Sequence, residues 1–160
     1  MVLKSNICIL STLLILITAC SQESVLKANL ETSEIFLKSN LLNIDVTEIE
    51  PGLQYKVLES SVDNSISPNL PDIITADFHG TLIDGSVFWS STELGEPLTI
   101  ELSKLIPGCQ KAISQMNEGD TWRIFVHPNL AYGEEGRPTI PPNSALIFDI
   151  TLLAINSIPY

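Results

Sequence analysis

The chain has 160 residues, 44% of them hydrophobic and 17% charged, which is enough apolar content for one globular domain. Its 8 Lys+Arg against 19 Asp+Glu give a net charge of −11, which repels phosphate backbones and sets nucleic acid aside as a partner. No P-loop or Gly-x-Gly-x-x-Gly pattern occurs, and His79 and His127 stand apart from any Cys/His spacing that would suit zinc, so neither cofactor nor metal is expected.

The chain starts with one positive charge, Lys4, followed by an almost wholly apolar run from Ile7 to Ile17 and then Thr18-Ala19-Cys20. A charged start, a short apolar run and small residues describe a secretory signal peptide over residues 1–19. The run is about half the roughly 20 residues that a spanning helix needs. Cys20, placed directly after the small residues, resembles the lipidation site of a bacterial lipoprotein. That resemblance implies cleavage before Cys20, acylation of its sulfur and new amine, and attachment to a membrane without a spanning segment. Ser21 rather than Asp at the next position points to the periplasmic face of the outer membrane. Removal of residues 1–19 takes away Lys4 and no acid, leaving 7 bases against 19 acids and a net of −12. With Cys8 removed and Cys20 acylated, Cys109 has no disulfide partner.

Residues 20–51 read as an anchor and a short helical arm. Thr32-Ser33-Glu34 is a helix-start pattern ahead of Ile35, Phe36, Leu37, Leu41 and Leu42. Residues 44–52 read as a connector ending at Pro51-Gly52. Leu53 to Leu58 alternates apolar and polar, as a half-buried strand does. Ser60 to Pro71 is a polar loop with breakers at Asp63-Asn64, Pro68 and Pro71. Ile73 to Ile83 reads as a strand closed by the hairpin signal Asp84-Gly85, with Val87-Phe88-Trp89 returning. Leu98 to Leu102 is another strand. Pro107 opens a helix over Cys109 to Met116, and Glu118-Gly119-Asp120 ends it. Trp122 to Val126 and Ala145 to Ile155 are further strands. Several antiparallel strands with one short helix to cover a face make an α+β domain.

Between the last two strands lies a Gly/Pro-rich loop carrying Pro128, Ala131-Tyr132-Gly133, Gly136 and Ile140-Pro141-Pro142, followed by Leu146-Ile147-Phe148-Asp149. Such a loop is neither helix nor central strand, and with Tyr132 and Phe148 beside it, it can wall a shallow apolar cleft. These residues resemble the C-terminal signature of FKBP-type peptidyl-prolyl isomerases. Gly52 to Leu58, Gly80 to Phe88, Gly95-Glu96-Pro97-Leu98, Leu105-Ile106-Pro107-Gly108 and Gly119 to Arg123 match the same family in order. The resemblance implies an FKBP-like α+β fold over residues 52–156, a twisted antiparallel β-sheet wrapped around one short α-helix. It also implies a prolyl isomerase that acts on proline-containing polypeptide segments and assists folding outside the cytoplasm. Its pocket would comprise Phe88, Ile106, Tyr132 and Phe148 as catalytic residues, with Phe78, Trp89, Leu105, Cys109 and Ile140 binding substrate. The Ile106 N–H and the Tyr132 hydroxyl would hold substrate carbonyls.

The segment before Gly52 resembles the macrophage infectivity potentiator branch, whose members dimerise through a long helix there. Here the arm is some two dozen residues, so a monomer is expected. The family usually has Tyr, Asp and Trp where this chain has Phe78, Trp89 and Cys109. A Cys at the pocket floor leaves space that an inward-leaning Trp89 would restore. These departures keep a second function open, a catalytically weak binding or chaperone module. A third, with Cys109 as nucleophile, has no His partner in the sequence.

Overall fold

The computed structural model describes residues 5–61 and 66–156, with side chains from residue 22 onward. Lys4, the Cys20 side chain and Asp63-Asn64 lie outside the described residues.

Helix α1 runs from Ser5 to Asn40 as one piece of 36 residues. It includes the helical arm expected after residue 20 and extends further toward the N-terminus, since no Gly or Pro occurs between residues 5 and 40 to interrupt the backbone ladder. Among the described residues no helix is long and apolar enough to cross a membrane. Strands follow at Thr47–Glu50 (β1), Leu53–Glu59 (β2), Ile73–Thr81 (β3) and Val87–Ser90 (β4). A single-turn helix, Ser91–Leu94 (α2), separates β4 from Leu98–Glu101 (β5). Helix α3 spans Pro107–Ile113, and strands Thr121–Val126 (β6) and Leu146–Asn156 (β7) follow. β1 lies in residues read from sequence as connector. It is only four residues long and half acidic, so its strand character comes from its pairing with β2 rather than from propensity.

All pairings are antiparallel, in the order β1-β2-β6-β7-β3-β4. β5 pairs with Ile73–Ala76 of β3 and β4 with His79–Thr81, so the two lie end to end along one edge of β3. The period-two burial of β3 and β7 sends Ile74, Ala76, Phe78, Phe148, Ile150 and Leu152 to one face. That face packs on Cys109, Ala112, Ile113 and Met116 of α3 and the turn after it, forming the main core. Pro107 opens α3, where its missing N–H costs no hydrogen bond.

The opposite face is covered in part by α1. Leu37 packs with Phe125 and Ala145, and the Phe36 and Phe125 rings meet at 6.1 Å. Gln54 is on the polar side of the β2 alternation, yet it is 1% exposed. It donates to the Leu37 carbonyl and accepts from the Asn40 amide, both at 2.9 Å, so α1 supplies the partners that water would otherwise provide. The register also places Arg123 opposite Asp149, joined by a two-pronged pair at 2.6 and 2.7 Å.

Candidate active site

A cleft of about 570 Å³ opens among β3, β4, β7, the segment entering α3 and the β6–β7 loop. Phe78 from β3, Phe148 from β7 and Cys109 from α3 form its buried base. Half-buried Phe88 and Trp89 come from β4, Leu105 and Ile106 from the segment entering α3, and Tyr132 and buried Ile140 from the β6–β7 loop. All nine residues named from the sequence for this pocket therefore line one cleft. Leu98, Lys104, Arg137 and Thr139 line it as well, and sequence reasoning did not single them out. Lys104 directly precedes Leu105-Ile106 and Arg137 lies inside the Gly/Pro-rich loop, so proximity to the motifs was the available signal.

Four rings interlock from the base to the edge. Phe148 meets Phe88 edge-on at 5.4 Å and Phe78 edge-on at 6.5 Å, and Phe78 meets Trp89 at 5.9 Å. Each such pair is worth about 0.5–1.5 kcal/mol beyond its burial. Gly80 makes this possible, because a Cβ there would sit 2.6 Å from the Phe88 ring and 3.2 Å from Phe148. Trp89 thus packs on Phe78 and shares the cleft with Cys109.

Hydrogen bonds between side chains and the backbone set the two walls. The Gln110 side chain donates to the Ser103 and Leu105 carbonyls at 3.0 and 2.6 Å, pinning the turn that presents Leu105 and Ile106. Ile106 caps α3, and its N–H makes no hydrogen bond to a described residue. The far wall is braced from α1. Asn29 donates to the Pro142 carbonyl at 2.8 Å, Asn143 donates to the Leu26 carbonyl at 3.1 Å, and Ser33 bonds both Asn143 and Ala145. Gly136 turns this loop with φ of +60°, and a Cβ there would lie 2.4 Å from the Ile140 carbonyl. The Arg137 guanidinium lies 4.7 Å over the Tyr132 ring.

No Asp, Glu or His lines the cleft. Burial pushes the Cys109 thiol up to about 12, so it stays neutral and is a poor nucleophile. His79 lies by Ser90 at 3.2 Å, and His127 accepts from the Asn129 N–H at 3.2 Å; both are outside the cleft. Among the described residues no group of three or more His, Cys, Asp or Glu could hold a metal. The arrangement therefore suits binding an apolar group and favouring a less polar state of it, rather than acid–base or covalent chemistry.

Residues 64–153 match the family model described as FKBP-type peptidyl-prolyl cis-trans isomerase. The chain is 44% identical over 128 residues to the peptidyl-prolyl cis-trans isomerase Mip of Coxiella burnetii, covering 79% of this chain and 55% of that protein. It is 38% identical over 129 residues to the outer membrane protein MIP of Legionella longbeachae, covering 79% and 54%. It resembles the crystal structure of FkpA from Escherichia coli with a TM-score of 0.83 at 30% identity, over 97% of this chain and 75% of that one. The chain spans about half the length of the curated relatives it matches.

Proposed function

The chain belongs to the FKBP-type peptidyl-prolyl cis-trans isomerase family, and on that premise we propose that it catalyses rotation about X-Pro amide bonds in polypeptide segments. The observation that carries this reading is a cleft walled by five aromatic rings that holds no carboxylate or imidazole and whose thiol stays neutral. Amide rotation needs no proton donor or nucleophile. Its barrier of about 18–20 kcal/mol is the loss of resonance. The twisted amide is less polar than the planar one, so an apolar cleft holds it better than water does, which is differential binding of the transition state.

In this reading the proline ring enters between Phe88, Phe148 and Ile140, above Phe78 and Cys109, with Leu105 and Trp89 at the sides. The unengaged Ile106 N–H and the Tyr132 hydroxyl take substrate carbonyls. The protein acts as a monomer in the bacterial cell envelope, held at the periplasmic face of the outer membrane by lipid on Cys20. The support for this placement is the signal-like N-terminus and the name of the Legionella relative.

Exchange NMR on a Leu-Pro peptide with the full chain in uncharged detergent tests the activity. Accelerated cis–trans exchange supports it. Peptide binding without acceleration would instead favour the binding-module reading, for which Phe78, Trp89 and Cys109 are the motivating departures.

A further inference from the structure

The charge of the cleft is opposite to that of the chain. Lys104 and Arg137 line it, and every other lining side chain is uncharged. The chain carries 19 acids against 8 bases, so unopposed positive charge is not what its composition would place there.

Elsewhere on the domain, basic side chains are neutralised. Lys56 pairs with Asp45, Lys111 with Glu50 and Arg123 with Asp149. Lys104 and Arg137 have no carboxylate within ion-pair distance among the described residues. Acids do lie close in the chain without serving as partners. Glu101 accepts from the Ser103 hydroxyl, and Glu134 and Glu135 share the loop of Arg137 but do not line the cleft. Trp89, at the cleft edge, adds no countercharge.

The two cations also flank the positions where a peptide backbone would be held. Lys104 immediately precedes Leu105 and Ile106, the latter with its free N–H, and the Arg137 guanidinium rests 4.7 Å over the Tyr132 ring. From these positions we propose that the cleft selects proline-bearing segments in which an acidic side chain flanks the X-Pro pair. This rests on the isomerase reading of the same cleft and names its substrate class. A carboxylate beside the proline meets Lys104 or Arg137 next to an apolar, partly desolvated wall, while the ring fills the aromatic base. Exposed ion pairs each shift an equilibrium by about 1.4- to 5-fold, so the two together give a preference of about 2-fold up to roughly 25-fold. The general field of an acidic chain acts against an acidic peptide, so a preference of this sign is local in origin.

The test uses exchange NMR with the full chain in uncharged detergent and three matched peptides, in which Glu, Gln or Lys flanks a Leu-Pro pair on both sides. The expected order of kcat/KM is Glu over Gln over Lys, with the Glu-to-Gln ratio shrinking toward one in 0.5 M salt, where screening lengths fall to about 4 Å. Lys104→Gln with Arg137→Gln should bring that ratio to about one, whatever happens to the absolute rates. Arg137→Lys keeps the charge but weakens the stacking on Tyr132, so it should retain the preference even if it slows every peptide. Equal rates for the Glu and Gln peptides in the unaltered protein would overturn the proposal. If no peptide is isomerised, the isomerase reading falls instead. The same titration then decides the preference from the dissociation constants of the Glu and Gln peptides, and equal constants or no binding overturn it.

Discussion

The Ser33 hydroxyl donates to the Asn143 carbonyl at 2.8 Å across 110 residues of sequence, and the same oxygen accepts the Ala145 N–H at 2.8 Å. One buried side chain of α1 thereby ties both ends of the turn that leads from the cleft loop into β7. Ser33→Ala leaves a buried N–H and carbonyl without partners, at a cost of about 1–3 kcal/mol. Urea denaturation should show this loss, and the Ala145 amide should exchange its hydrogen faster. Unchanged stability and exchange would mean that Ser33 contributes nothing to holding the loop.

At the cleft, Tyr132→Phe removes one hydroxyl and keeps the ring under Arg137. A neutral hydrogen bond made in the transition state is worth about 0.5–1.5 kcal/mol, so kcat/KM should fall several-fold, with the midpoint of unfolding held. Phe148→Ala should cost more activity, together with about 3–5 kcal/mol of stability, because Phe148 is 6% exposed and contacts two other rings. A Tyr132→Phe enzyme as fast as the original would remove that hydroxyl from the mechanism.

Trp89 and Cys109 both line the cleft, and Cys109 stands where the family usually has Trp. If Trp89 uses the space that the smaller side chain leaves, Cys109→Trp alone should destabilise, and Cys109→Trp with Trp89→Asp should recover stability and raise kcat/KM on an apolar X-Pro peptide. Single and double variants form a cycle that isolates the coupling. Additive effects on both quantities would show that the two positions act independently.

Cys109 also predicts a pH dependence. Its thiol is raised from 9.0 to about 12 by burial, so the folded state keeps a proton that the unfolded state gives up. Its contribution is fully present below about pH 9 and is lost as the pH climbs toward 12. Stability of the unaltered protein should therefore drop more steeply across that window than that of Cys109→Ala, compared by denaturant midpoint. In the native protein, peptide mapping after iodoacetamide treatment at pH 8 should find Cys109 unmodified. Parallel slopes would contradict the burial argument.

For the anchor, the mature protein should begin at an acylated Cys20 and partition into detergent, and Cys20→Ala should abolish labelling by a fatty-acid analogue. Intact-mass measurement of an unmodified, freely soluble protein from the native coding sequence would end the lipoprotein reading.

The strands of the domain and its one well-formed cover helix were legible in residue order because their burial pattern is local. Period-two alternation, the Asp84-Gly85 turn and Pro107 at the start of α3 are all short-range signals. The motifs around Tyr132, Ile106 and Phe148 likewise mark residues that line one cleft. Other features depend on partners far away in the chain. β1 exists because β2 lies beside it, and Gln54 is buried because the end of α1 offers it a carbonyl and an amide. Asn29 and Ser33 brace a loop more than a hundred residues away. The pairing of Trp89 with Phe78 and the company of Lys104 and Arg137 were equally invisible, since sequence patterns report which face a residue occupies but not what stands opposite it. The sequence alone determined the family, the sheet and the apolar cleft. The tertiary structure decided how that cleft is braced and which charges stand in it, because both depend on contacts between segments that only folding brings together.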